Sequence, residues 1–280
     1  LAASLAAPAL AADDPPAPRV VRYTLAETRK TVSAAGERAS AVRGTVTVCG
    51  GTARWDLTTG TFPRTTANTL LAGERGAWLL DRSVAVAARA RMEDFRALFV
   101  PPEEGDPGPF RVSVRDLAVS AADPAKGPSF RGRTTRRHRF ESEWSLVTSM
   151  PGRVGRVRTK LSVTIDALDE APEEARSPLD DLSRLLDVPE AVREELAPLL
   201  GAVRGWPVGV VAETDAELSA EHPGAAAGAV EQGRPATVRT EVRREVADLV
   251  VGRAAPADLA ALAIGEGTRL VGIERLVEPR

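Results

Sequence analysis

Apolar and polar positions alternate with a period of two over long stretches of this chain. In "VRTKLSVTIDAL", Val157, Thr159, Leu161, Val163 and Ile165 fall on one side and Arg158, Lys160, Ser162, Thr164 and Asp166 on the other. That is the pattern of a β-strand with one buried face. "TVRTEVRREV" repeats it, with Val238, Val242 and Val246 opposite Arg239, Glu241, Arg243 and Glu245, whose alternating signs suit a solvated face. "FRVSVRDLAVS" sets Phe110, Val112 and Val114 against Arg111, Ser113 and Arg115. Shorter alternations predict further strands over 20–31, 41–48, 52–58, 129–144 and 206–218.

Between strands the chain carries turn chemistry. "LLAGERGAWLLDRSVAVA" places Gly73-Glu74-Arg75-Gly76 and Asp81-Arg82-Ser83 between short apolar runs, which predicts an antiparallel meander. Cys49-Gly50-Gly51 lacks the spacing of a phosphate loop and reads as a bulge or tight turn. "EHPGAAAGAVEQGRP" reads as a loop between two long strands.

Helical periodicity is confined to a few places. In "SPLDDLSRLLDVPEAVREELAPLL", Ser177 is the expected N-cap, Pro178 the first helical residue and Asp180 the capping-box partner. Leu179, Leu182, Leu185 and Leu186 then share one side, and a second start at Asp187 and Glu190 leads into Val192, Leu196, Leu199 and Leu200. A shorter helix is expected over 92–99. The sequence therefore predicts a mainly β fold of α+β type, a strongly curved antiparallel sheet or incomplete β-barrel with a few helices packed on its concave face. Residues 13–280 form one such domain, with a helical insert at about 177–201.

Charge and candidate chemistry narrow the function by exclusion. Lys plus Arg number 37 against 39 Asp plus Glu, so no charge-driven nucleic-acid partner is expected. The arginines of "RGRTTRRHRFE" (Arg131, Arg133, Arg136, Arg137, Arg139) read as a solvated strand face beside acidic strands, with an acidic partner or lipid head groups as the competing reading. Asp180, Asp181 and Asp187 are explained by helix-end electrostatics before metal ligation. The single Cys49 cannot form an internal disulfide, and neither His138 nor His222 stands in recognisable catalytic surroundings, so a buried, inert thiol is expected. No motif supplies nucleophile, base and orienting group, so the chain reads as a non-enzyme needing no cofactor or metal.

The segment "LAASLAAPALAADDPPAP" passes from Ala/Leu-rich to acidic, Pro-rich sequence after an A-x-A site at Ala9 to Ala11. This resembles the end of a secretory signal peptide over residues 1–12, with an ordinary Ala-rich helix as the alternative. No later apolar run reaches the roughly 18 to 20 residues needed to span a bilayer. A periplasmic or otherwise exported protein is the expectation.

The order of "TLLAGERGAWLLDRSVAV", a Leu-rich helical insert, "GWPVGVV", "TVRTEVRREVADL" and "LAIGEGTRLV" resembles bacterial envelope proteins related to the outer-membrane lipoprotein carrier superfamily. Trp78 stands at that family's aromatic position and Asp81 at its turn. Its closing phrase of two aromatics around a Pro-x-Gly is represented here by Leu262, Gly265, Gly267 and Thr268. The resemblance implies a half-barrel whose concave apolar face holds a lipid, a lipoprotein or another hydrophobic ligand. The surface it implies is Trp55, Trp78, Leu80, Val112, Val114, Leu161, Val163, Leu185 and Leu196. The alternative is a protein-interaction or sensor module of the envelope with a permanently filled core. Export predicts that the mature chain from the native host starts near Asp13 by N-terminal sequencing; a cytoplasmic chain retaining 1–12 contradicts it.

Overall fold

The computed structural model describes residues 18–62, 65–73, 76–90, 111–150, 153–169, 188–221 and 236–276. The expected processing site, the helices over 92–99 and 177–186, Phe110 and the loop 222–235 lie outside them. Alternation becomes twelve strands: β1 (Arg19–Ser33), β2 (Gly36–Cys49), β3 (Thr52–Thr59), β4 (Thr69–Gly73), β5 (Gly76–Asp81), β6 (Val86–Ala90), β7 (Arg111–Lys126), β8 (Thr135–Met150), β9 (Arg153–Leu168), β10 (Trp206–Glu221), β11 (Ala236–Arg253) and β12 (Arg269–Val271). Helix α1 is Glu190–Gly201 and helix α2 is Pro256–Ala261.

All twelve strands join one sheet in the order β12-β6-β5-β4-β3-β2-β1-β11-β10-β9-β8-β7. The pairings are antiparallel except β12 with β6, and the curved sheet does not close into a barrel. Most neighbours in this order are also neighbours in sequence, as expected for hairpins. The crossover brings β11 beside β1 and so fuses two meanders into one sheet.

The hairpins follow from their turn residues. Gly50 and Gly51, with φ of 54° and 75°, connect Cys49 to its partner Thr52. Positive φ at both central residues matches the right-handed twist of the flanking strands. Between β5 and β6, the Asp81 carboxylate accepts from the Ser83 backbone N–H and hydroxyl, closing an Asx-type turn. The predicted strand over 129–144 starts later, at Thr135. Its first residues form a turn in which Phe130 and Arg133 exchange backbone bonds and Arg131 and Gly132 take positive φ.

Cross-strand partners share a face, so the registers assign each side chain to one of two surfaces. One row reads Phe140, Val163, Ala212, Val242, Arg29 and Ser40. On this surface Val192 and Leu196 of α1 pack with Phe140, Trp144, Leu161, Val163, Ile165 and Val210; it is the α1 face. Next to that cluster stand Tyr23, Leu25, Val46 and Val246, and then Leu57, Leu79 and Ala88. Helix α2 lies on the other surface, where Arg22 pairs with the buried Asp258 and Arg54 donates to the Ala261 carbonyl.

Both edges of the open sheet are blunted. The chain after α2 places Ile264 against Leu71, Leu80 and Ala87 on the α2 face. It then pairs as β12 with β6, and places Ile273 and Leu276 against Leu57, Phe62 and Leu79 on the α1 face. It wraps the β6 edge as a clamp. At the β7 edge, the pairing with β8 shifts between Arg115 and Ala118, where Asp116 has φ 54°, and again between Ala122 and Ala125, a segment containing Pro124. Such interruptions deter a further strand from adding.

One glycine is required by close approach. A Cβ on Gly44 would lie 2.6 Å from Trp55 Nε1 and 2.6 Å from the Asp56 carbonyl oxygen, because the indole crosses that backbone. Trp55 also meets Phe62 edge-to-face at 5.2 Å. Gly44→Ala is expected to cost about 1–3 kcal/mol through overpacking and to lower the thermal midpoint. Gly252→Ala, where a Cβ meets nothing within 4 Å, is expected to change it little.

Candidate functional site

The candidate surface is the apolar part of the α1 face beneath α1. Strand β9 supplies Leu161, Val163 and Ile165, the latter two 0% exposed, while Lys160 is exposed on the α2 face. From β8 come Phe140 and Trp144, and from β10 Val210 and Ala212. Helix α1 forms because Glu190 favours the positive end of the helix and because Val192, Leu196, Leu199 and Leu200 recur at helical spacing. Pro189 occupies its N-cap without a side-chain bond. Glu190 thus stands at the helix start, and Asp187 lies outside the described residues.

The helix lies over β7 and β8. Its polar contacts stay local: Arg193 pairs with Glu190 and donates to the Val188 carbonyl. Among the described residues, the connection of α1 to the sheet consists of apolar packing by Val192, Leu196, Leu199 and Leu200.

The nine residues expected to line a ligand surface do not all meet. Leu161, Val163, Val114 and Leu196 belong to the α1 cluster, Val114 at its margin. Trp55 is on the same face but further along, shared between the clusters of β1 to β3 and of β3 to β6. Trp78 and Leu80 point to the α2 face, with Leu71 and Ala87. They alternate with Ala77 and Leu79, and it is Leu79 that pairs with Leu70 and so faces α1. Val112 is 63% exposed. Leu185 lies outside the described residues.

Sequence reasoning missed a charged pair on the apolar side. Arg244 occupies the same parity as Val238, Val242 and Val246, faces Val210 across one interface and Glu27 across the other, and is 8% exposed. Its Nε donates to Glu27 at 2.6 Å. The signal was legible as one arginine at an apolar position of the alternation. His138 is likewise buried on this face, opposite Ile165. Burial first and the Arg136 charge second hold its imidazole below the ordinary range, against a smaller opposing pull from Asp169.

The α2 face is polar over β8 to β11, and its charges compensate one another. Arg137 grips Asp166 with two bonds of 2.8 Å and Arg131 pairs with Asp248, while Arg136, at the parity of His138 and so on the α1 side, pairs with Asp169. Three of the five arginines of that segment, Arg131, Arg136 and Arg137, are thus engaged with neighbouring carboxylates. An open cleft of about 360 Å³ lies here, lined by Arg137, Ser162, Thr164, Asp166, Glu213 and Arg243. Another, of about 230 Å³, lies between the chain after α2 and β5–β6, with Arg54, Leu80, Arg82 and Thr268 in its wall. Asp56 holds the Arg54 of that wall: Arg54 donates to both of its oxygens at 2.7 and 2.9 Å and Thr69 donates at 2.7 Å. Among the described residues, no group of three or more His, Cys, Asp or Glu is placed to hold a metal ion. Cys49 is buried.

The fold and surface define a class: a mostly β protein built, among the described residues, on a single open sheet with one helix over an apolar face. No helix among the described residues is long and apolar enough to cross a membrane. Neither the known protein-family models nor the curated proteins contain a match to the chain.

Asp56 generates a pH prediction. Burial alone would raise its carboxyl, but the hydrogen bonds from Arg54 and Thr69 and the charges of Arg54 and Arg82 outweigh it and hold it below the usual range. A carboxylate depressed in the folded state stabilises above its unfolded value and loses that contribution as pH falls through the folded value. Asp56→Asn is therefore expected to be less stable than the parent at neutral pH. In urea melts the difference should shrink as pH drops from about 5 toward 2; a constant difference contradicts the assignment.

Proposed function

We propose that this is an exported, non-enzymatic binding or carrier protein of the bacterial envelope, holding a lipid, a lipidated protein or another hydrophobic ligand between α1 and the sheet. The observation that carries the reading is the attachment of α1. Its buried stripe covers a broad apolar face without a polar latch among the described residues. Apolar contact is non-directional, so an acyl chain can replace it piece by piece, whereas an ion pair or hydrogen bond would have to be broken outright. Resemblance to the lipoprotein carrier superfamily supports the same reading.

The second reading is a protein-interaction or sensor module whose α1 face is permanently filled. It is favoured by the completeness of packing, with Val163, Ile165 and Val192 all 0% exposed. The two readings differ in what loosening the lid does. Burying one Leu side chain contributes about 1.5–3 kcal/mol, so a ligand must offer comparable apolar contact to displace α1.

Leu196→Asp is expected to loosen α1 while keeping the β-sheet signal in circular dichroism. For the carrier reading, titration with a fluorescent, uncharged acyl ester should show saturable binding by the parent protein and an altered affinity in the variant. Native mass spectrometry should find lipid on protein purified from its host. Absence of binding in both forms, with no copurified lipid, would favour the filled module.

A further inference from the structure

Strand β8 turns His138, Phe140, Ser142, Trp144 and Leu146 toward α1, as their pairing with Ile165, Val163, Leu161, Thr159 and Val157 requires. The apolar members of this row fill the cluster beneath the helix. The polar ones are buried with them: Ser142 is 5% and Trp144 3% exposed. Among the described residues, Ser142 Oγ, Trp144 Nε1 and His138 Nε2 have no hydrogen-bond partner. An indole N–H can only donate, and a hydroxyl can donate or accept. Nearly all buried donors in folded proteins are bonded, because one left unmade is a standing cost that any incoming acceptor recovers.

These two groups restrict what suits the cluster. A plain hydrocarbon would leave both donors unbonded. A charged carboxylate would need an unengaged cation beside it, and on this side the Arg244, Arg136 and Arg193 guanidinium groups are already paired with Glu27, Asp169 and Glu190. A neutral carbonyl attached to an alkyl chain meets both conditions, since its oxygen accepts while its tail packs against Phe140, Leu161, Val163 and Leu196. Ser142 and Trp144 are two residues apart on one strand face, roughly 7 Å along β8, close enough for both to reach the polar end of one acyl group.

Resting on the carrier reading above, we infer that the contact between α1 and β8, when it opens, recognises the carbonyl end of a neutral acyl chain, an ester or an amide, with Ser142 Oγ and Trp144 Nε1 as the donors. Recognition takes place where α1 meets β8, and the acyl tail runs into the Val163 and Leu196 cluster. The groups that hold the head are therefore covered by the same helix that covers the tail.

The test is a calorimetric comparison of 1-palmitoylglycerol, palmitoylglycinamide and the ether 1-O-hexadecylglycerol, which lacks the carbonyl, on the full chain. The parent is expected to bind ester or amide roughly tenfold more tightly than the ether, about one hydrogen bond's worth. A tighter ester assigns the ligand to glycerolipids, and a tighter amide assigns it to N-acylated chains. Ser142→Ala and, separately, Trp144→Phe should each reduce that ratio toward one. The ratio is read within each variant, so a general loss of packing does not imitate the effect. Ser142→Ala should also leave the unliganded melting temperature unchanged or raised, because it removes an unbonded buried hydroxyl. Equal affinity for ester and ether in the parent, or a preference that survives both substitutions, overturns the inference while leaving the carrier reading in place. No binding of any of the three overturns both.

Discussion

The structure depends on the backbone hydrogen bonding of one continuous twelve-stranded sheet. Once β11 pairs with β1 on one side and β10 on the other, the register of each strand assigns every residue to a face, and a slip of one position would exchange the two surfaces entirely. Packing, charge pairing and the candidate site all inherit that assignment. Leu161, Val163 and Ile165 are buried together because their cross-strand partners at Ser142, Phe140 and His138 carry the same parity.

An open sheet of this size has two faces to cover and two edges to protect. Helix α1 covers the β7 and β8 side of one face by apolar contact. The C-terminal chain holds the other end differently, by the Arg22 pair with Asp258, by Arg54 donating to Ala261, and by wrapping the β6 edge onto both faces. The two ends of the sheet thus differ in kind. Among the described residues, one is tied by directional bonds and the other rests on non-directional packing, which makes α1 the element that separates from the sheet at the lower cost.

Polar groups within the apolar face give it chemical character. Arg244 and Glu27 neutralise each other near its centre, while the Ser142 hydroxyl and the Trp144 indole N–H have no hydrogen-bond partner among the described residues. A buried charge pair and an unbonded donor have opposite consequences. The first is internally satisfied and contributes to fixing the β1–β11 pairing; the second gains from an added acceptor.

The sequence by itself determined the fold class, the parity of β9, the Gly50-Gly51 and Asp81 turns and the Val192/Leu196 stripe, because each follows from spacing within a few residues of chain. Alternation within β5 shows that Trp78 and Leu79 point opposite ways, yet only the pairing of Leu79 with Leu70 tells which of them faces α1. Both faces of that strand are apolar, so local patterning carried no sign of which was which. Tertiary structure also decided that Arg244 meets Glu27 and Asp258 meets Arg22, partners more than two hundred residues apart in sequence, and that the C-terminal chain clamps the far edge. These contacts exist only after β11 crosses to β1. Their physical cause is long-range strand pairing, which local periodicity permits at many registers and selects only when the whole sheet is assembled.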